Sequence, residues 1–82
     1  MNKFDLITQI EEYKSKMVGF DVYLGELTKA DDVIGYYFDN ADGMFKVYIN
    51  YERGRHHVRK STESENEALE KVLSMIKAEV FD

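Results

Sequence analysis

Eighty-two residues provide one core and are read as a single domain over 1–82. With no cysteine, neither a disulfide staple nor a thiolate metal site is available, which suits a reducing compartment. A formal charge of −5 and a pI near 5.0 argue against a uniformly basic nucleic-acid-binding surface, while six Tyr and five Phe argue against disorder.

Residues 4–17 carry Leu6, Ile10, Tyr13 and Met17 at helical spacing, with Ile7 widening the stripe and Glu11, Glu12, Lys14 and Lys16 opposite. Asn2 is the expected cap and Gly19 the expected terminator. In residues 20–27, Phe20, Val22 and Leu24 alternate with Asp21, Tyr23 and Gly25, which suggests a strand; Gly25 weakens that reading and leaves an irregular or short extended segment as the alternative. Residues 28–32 form a polar connection.

Two strands follow, over 33–39 and 44–52. Ile34, Tyr36 and Phe38 define one face of the first, and Phe45, Val47, Ile49 and Tyr51 define that of the second. Asn40-Ala41-Asp42-Gly43 has the length and composition of a hairpin connection. Arg53-Gly54 reads as a second tight turn into a strand over 56–60, with Val58 pointing inward. The last helix starts at Ser64-Glu65-Asn66-Glu67, a capping-box pattern, with Thr62 and Glu65 as an alternative register. Its apolar stripe is Leu69, Val72, Leu73, Ile76 and Val80.

The expected fold is α+β in the order α-(β)-β-β-β-α, an antiparallel meander of three or four strands with both helices on one face. Such a sheet leaves its reverse face wet, exposing Tyr37, Lys46, Tyr48, Asn50, His57 and Arg59. Charge is uneven along the chain. Residues 1–45 set four Lys against nine acids, residues 46–60 set Lys46, Arg53, Arg55, Arg59 and Lys60 against Glu52 alone, and residues 61–82 set two Lys against six acids. Either neighbouring elements neutralise one another, or a basic patch stands out on an acidic body.

Catalytic and metal chemistry find little support. His56 and His57 are adjacent in a strand and therefore point to opposite faces, and no third His completes a zinc set. Asp39, Asp42 and Gly43 lack the further acids of a calcium loop. Ser61, Thr62 and Ser64 are accounted for by helix capping, so no nucleophile is assigned. A non-enzymatic protein with no cofactor and no metal is expected. The N-terminal Met1-Asn2-Lys3-Phe4-Asp5 lacks the apolar run of a signal peptide and no stretch reaches membrane-spanning length, so a cytoplasmic protein is expected.

The residues Gly35-Tyr36-Tyr37, Lys46-Val47-Tyr48, Glu52-Arg53-Gly54 and Glu65-x-Glu67-Ala68-Leu69 carry a resemblance over about half the chain. They resemble the small immunity proteins of bacterial polymorphic toxin systems. The resemblance implies neutralisation of a cognate protein toxin by direct binding. Tyr37, Tyr48, Tyr51 and Arg53 are then the expected anchors, with Lys46, Arg55, His57 and Arg59 as charged contacts. Against a basic toxin cleft, the acidic helix surface of Glu63, Glu65, Glu67 and Glu70 would serve instead. Two other readings are weighed: a homodimeric structural domain using a free sheet edge, and a sheet-type domain resembling double-stranded RNA binders.

Overall fold

A computed structural model describes residues 2–17 and 19–81. The elements run α1 (Lys3–Lys14), β1 (Asp21–Leu24), β2 (Val33–Asp39), β3 (Met44–Asn50), a 3-10 turn (Glu52–Gly54), β4 (His56–Thr62) and α2 (Glu65–Phe81).

Both helices start on side-chain caps. Asn2 Oδ1 accepts from the Asp5 amide at 2.9 Å, satisfying a donor that the first turn would leave unpaired. α1 ends three residues earlier than its apolar stripe suggests. There the Lys16 and Met17 amides bond three residues back, to Tyr13 O and Lys14 O, and Ser15 Oγ donates to Glu12 O. These tighter turns unwind the helix before Gly19, which lies beyond it with φ 88°. At α2, Ser64 Oγ accepts from the Glu67 amide at 3.2 Å. The Glu67 carboxylate does not return to Ser64; it accepts from Thr62 Oγ1, which itself accepts from the Ser64 amide at 3.1 Å. Ser64 is thus the cap, with Thr62 joined to it through Glu67, and the alternative pairing of Thr62 with Glu65 does not form, because Glu65 is engaged by Tyr36 and Lys3.

The apolar stripes meet in a single core of Leu6 and Ile10 from α1, Ile34 and Tyr36 from β2, Val47 and Ile49 from β3, and Ala68, Leu69, Val72, Leu73 and Ile76 from α2. α2 packs across β2, β3 and β4, and α1 packs against α2. Burial of each large aliphatic side chain contributes roughly 1.5–3 kcal/mol, which holds both helices to this one face. Tyr36 Oη donates to Glu65 Oε2 at 2.9 Å and Lys3 Nζ pairs with Glu65 Oε1 at 3.0 Å, tying β2 and both helices together. Glu65 is held below the usual carboxylate range, first by Lys3 and also by Tyr36.

The sheet order is β1-β2-β3-β4. The β2–β3 and β3–β4 pairs are antiparallel, as the hairpin connections require. The wholly antiparallel meander is corrected at β1: residues 21–24 do form a strand, but it runs parallel to β2, from Asp21 opposite Val33 to Leu24 opposite Tyr36. A parallel neighbour requires the chain to retrace the length of β1 before β2 begins. The eight residues 25–32 make that return without a helix. Because α1 and α2 occupy one face, this strap crosses the other.

Gly35 makes room for the crossing. A Cβ there would run into the Tyr23 carbonyl of β1 and lie 3.1 Å from Tyr48 Oη. Tyr48 is the cross-strand partner of Gly35, so the missing side chain leaves space for both. We expect Gly35→Ala to destabilise the fold by about 1–3 kcal/mol, the usual cost of overpacking. Urea denaturation measures it, and hydrogen exchange should show β1 losing protection before β3. An unchanged midpoint would refute this account of the glycine.

Candidate partner-binding surface

The strap decides which sequence-predicted contacts remain available. Tyr48 is 0% exposed, and its hydroxyl donates to Glu26 O at 2.8 Å. Asn50 is also buried, and its amide nitrogen donates to Thr28 O at 2.8 Å and Ala30 O at 3.0 Å. The expectation of Tyr48 as an exposed anchor and Asn50 as a wet-face residue is therefore corrected: both hold the chain's own strap. Burial pushes the Tyr48 phenol up to about 12 and raises that of Tyr36 as well, the Glu65 carboxylate adding to the effect at Tyr36. Tyr37 is half-buried and meets the Tyr48 ring edge-on, with centroids 5.8 Å apart. Lys46 pairs with Asp42 at 2.6 Å, which raises the lysine and lowers the acid. Of the expected contacts on the reverse face, Tyr48 is buried, Tyr37 is packed on it, and Lys46 is neutralised.

A different group gathers at the β3–β4 end. The turn is longer than the expected two-residue Arg53-Gly54 turn: Asn50 pairs with His56, and Tyr51 N donates to Arg55 O at 2.8 Å across a five-residue loop. Arg53 and Gly54 are both left-handed, with φ 63° and 75°. This loop shifts the register by one residue, so Val58 faces Tyr48 and His57 faces Ile49. A one-residue slip exchanges the faces of a strand. Val58 is accordingly not an inward residue of the helix-covered core but sits on the reverse face, 47% exposed. His57 is not on that face but against Tyr51, with ring centroids 5.7 Å apart. A bulge at Arg59 then restores the expected register, so Lys60 faces Val47 and Thr62 faces Phe45. Arg59 leaves the reverse face as well, and its Nη2 donates to Tyr51 Oη at 3.1 Å.

The structure therefore brings together Tyr51, Arg53, Arg55, His57 and Arg59, and separates them from Tyr37, Lys46 and Tyr48. Tyr51, Arg53 and Arg55 line a shallow depression of about 360 Å³ with Asp32 and Glu52. Among the described residues, Arg53, Arg55, Arg59 and Lys60 form no ion pair, in contrast to Lys3 and Lys46. On the acidic alternative, Glu65 is engaged by Lys3 and Tyr36 and Glu67 by Thr62, leaving Glu63 and Glu70. The exposed edge of β4 carries a bulge, Arg59 and Lys60, features that oppose pairing with another strand.

Sequence reasoning missed Leu27, Lys29 and His56. Together with Thr28, Asn50 and Gly54 they line a second groove of about 320 Å³ between the strap and the β3–β4 loop. Gly25, which weakened the strand reading of residues 20–27, was the one available signal of a chain turning across the sheet; its φ is 85°. Among the described residues, no group of three His, Cys, Asp or Glu side chains is placed to hold a metal ion, and no helix is long and apolar enough to cross a membrane.

Compared with known proteins, the chain matches no family model, no curated protein and no solved structure.

The raised phenols give a pH dependence with a definite sign. In the folded state Tyr48 keeps its proton up to about 12, whereas the unfolded residue loses it near the ordinary 10.0. The stability it contributes is complete below pH 10 and is lost as pH rises through 12. We expect Tyr48→Phe to cost about 1 kcal/mol at neutral pH through the lost hydrogen bond to Glu26 O. The variant should also lose less stability than the parent between pH 10 and 12. Parallel urea titrations at pH 7 and pH 11 measure both effects. An equal alkaline loss in parent and variant would contradict the buried phenol.

Proposed function

We propose that this chain is a non-enzymatic protein-binding domain that uses its β3–β4 end to dock an acidic surface of its partner. The single observation carrying this reading is that Arg53, Arg55 and Arg59 stand at one end of an acidic protein without carboxylate partners among the described residues. Asp32 and Glu52 share the depression with Arg53 and Arg55, and Glu79 shares one with Arg59, but among the described residues none of these acids pairs with an arginine, whereas Asp42 pairs with Lys46. Unpaired cations around a half-buried tyrosine are a frequent composition of docking surfaces, in which Tyr and Arg are the commonest anchors. Oriented charge of this kind steers encounter and selects the partner.

The partner proposed is a cognate bacterial toxin, neutralised by direct binding. That part of the reading rests on the resemblance to immunity proteins. Within the motifs that carry it, Gly35 and Tyr48 serve the fold, whereas Arg53 lies on the surface proposed for docking.

A toxin-like reading frame adjacent to the gene supplies the test. Co-expression of this chain should rescue cells from that neighbour's toxic domain, and the Arg53→Glu/Arg55→Glu variant should not. Because both positions are exposed, the variant should remain folded by circular dichroism while its Kd rises by about 30-fold or more, as loss of an anchor cluster implies. Failure of the parent to rescue would remove the toxin reading. Unchanged binding by the folded variant would remove the cationic surface.

A further inference from the structure

The β2–β3 connection carries a chemistry of its own, apart from the docking end. Asp42-Gly43 is the one place in the chain where Asp or Asn precedes glycine. The turn demands both residues. Gly43 has φ 71°, which a residue with a Cβ adopts only at a cost. Asp42 Oδ1 accepts from the Met44 amide at 3.1 Å, as acids in turns do. The same pair is chemically labile, because with no side chain on Gly43 to shield it, its nitrogen can close a five-membered ring on the Asp42 carboxyl carbon.

Ring closure sets two conditions. The Gly43 nitrogen attacks after losing its proton, and the Asp42 carboxyl must be protonated so that its oxygen departs as water. The folded hairpin opposes both. The Gly43 N–H donates to Asp39 O at 2.9 Å. Lys46 Nζ donates to Asp42 Oδ2 at 2.6 Å, and this bond holds the acid below the usual carboxylate range. The other charged or titratable groups near the pair are Asp39, whose Oδ1 accepts from the Ala41 amide, and Tyr37, the cross-strand partner of Lys46. Lys46 is thus the cation that keeps Asp42 charged. The Asp42 side chain is still 45% exposed, so water reaches it.

We propose that Asp42-Gly43 is a site of spontaneous isomerisation and that the Lys46 ion pair guards it. In the first step a bond forms between Gly43 N and Asp42 Cγ, and one water leaves. One water then opens the succinimide. Opening at Cγ restores aspartate; opening at the former peptide carbonyl breaks its bond to Gly43 N and leaves isoaspartate, with the chain running through Cγ. Nothing is oxidised or reduced. The product lengthens the connection by one backbone carbon and moves the carboxylate to a shorter arm. Met44 N and Lys46 Nζ then lose their acceptor, so the reaction frees a cation that the folded hairpin keeps paired.

The test incubates the full chain in 18O-water at about pH 5, where a small fraction of an ordinary aspartate is protonated. Each ring opening adds one 18O at Asp42, read by peptide mass spectrometry, and isoaspartate is scored separately by its fragment ions. Lys46→Gln, shown to be folded by circular dichroism, should react about two- to fivefold faster than the parent, the range that a surface ion pair supports. Lys46→Arg should stay near the parent rate. In urea, parent and Lys46→Gln should react at one common, faster rate, while Asp21 and Asp32, each followed by valine, stay slower throughout. Lys46→Met, which keeps an unbranched stem, replaces Lys46→Gln should that variant misfold. Failure of Asp42 to take up label in urea overturns the proposal. Equal rates in the folded parent and the folded Lys46→Gln or Lys46→Met variant also overturn it.

Discussion

The seam between the strap and the sheet is the constraint on which the remaining architecture depends. A parallel β1 is possible only if its return path is stable, and a chain segment with no helix cannot satisfy its own backbone groups. Here the carbonyls of Glu26, Thr28 and Ala30 alternate toward the sheet, as in an extended chain, and meet donors from Tyr48 and Asn50. Each such bond contributes on the order of 1 kcal/mol net, and leaving one unmade in a buried position would cost about 1–3 kcal/mol. Among the described residues no buried side-chain polar atom lacks a partner. Gly35 provides the clearance beneath, so three residues on two strands permit the crossing.

The β3–β4 loop places its charges by geometry rather than attraction. Its five-residue length turns Val58 onto the reverse face and sends His57 to Tyr51; the bulge then carries Arg59 to the same tyrosine. Arg53 in a left-handed conformation costs about 1–2 kcal/mol relative to a residue without a Cβ. A surface ion pair returns only about 0–1 kcal/mol, so leaving these arginines unpaired costs the fold little. Both facts separate the cations from folding. The fold tolerates them without depending on them.

What was legible in the sequence is what periodicity and capping report. Both helices, the two hairpin-linked strands and the core stripes follow from spacing, because burial acts on every turn or every second residue. Asn2 and Ser64 were legible because a cap is a local bond. The parallel β1 was not, since Asp21–Leu24 has the same alternation whichever way its neighbour runs. Tyr48 and Asn50 were misplaced because alternation identifies the face of a side chain but not what covers that face. The shift at Val58 was hidden for a related reason: Arg53-Gly54 satisfies a short turn and a longer loop equally, and only the closing bond from Tyr51 to Arg55 distinguishes them. Of the candidate site, Arg53 and Arg55 were readable as charge; the second groove was not, because Leu27 and His56 are 29 residues apart in sequence and meet only through the strap.

In the proposed complex the charged end begins to act before contact. The arginines are exposed, and their attraction extends only about 8 Å at physiological ionic strength before screening reduces it. Such charges act mainly on encounter and orientation. Affinity differences between related complexes lie mostly in dissociation, whereas the cations' contribution lies in association.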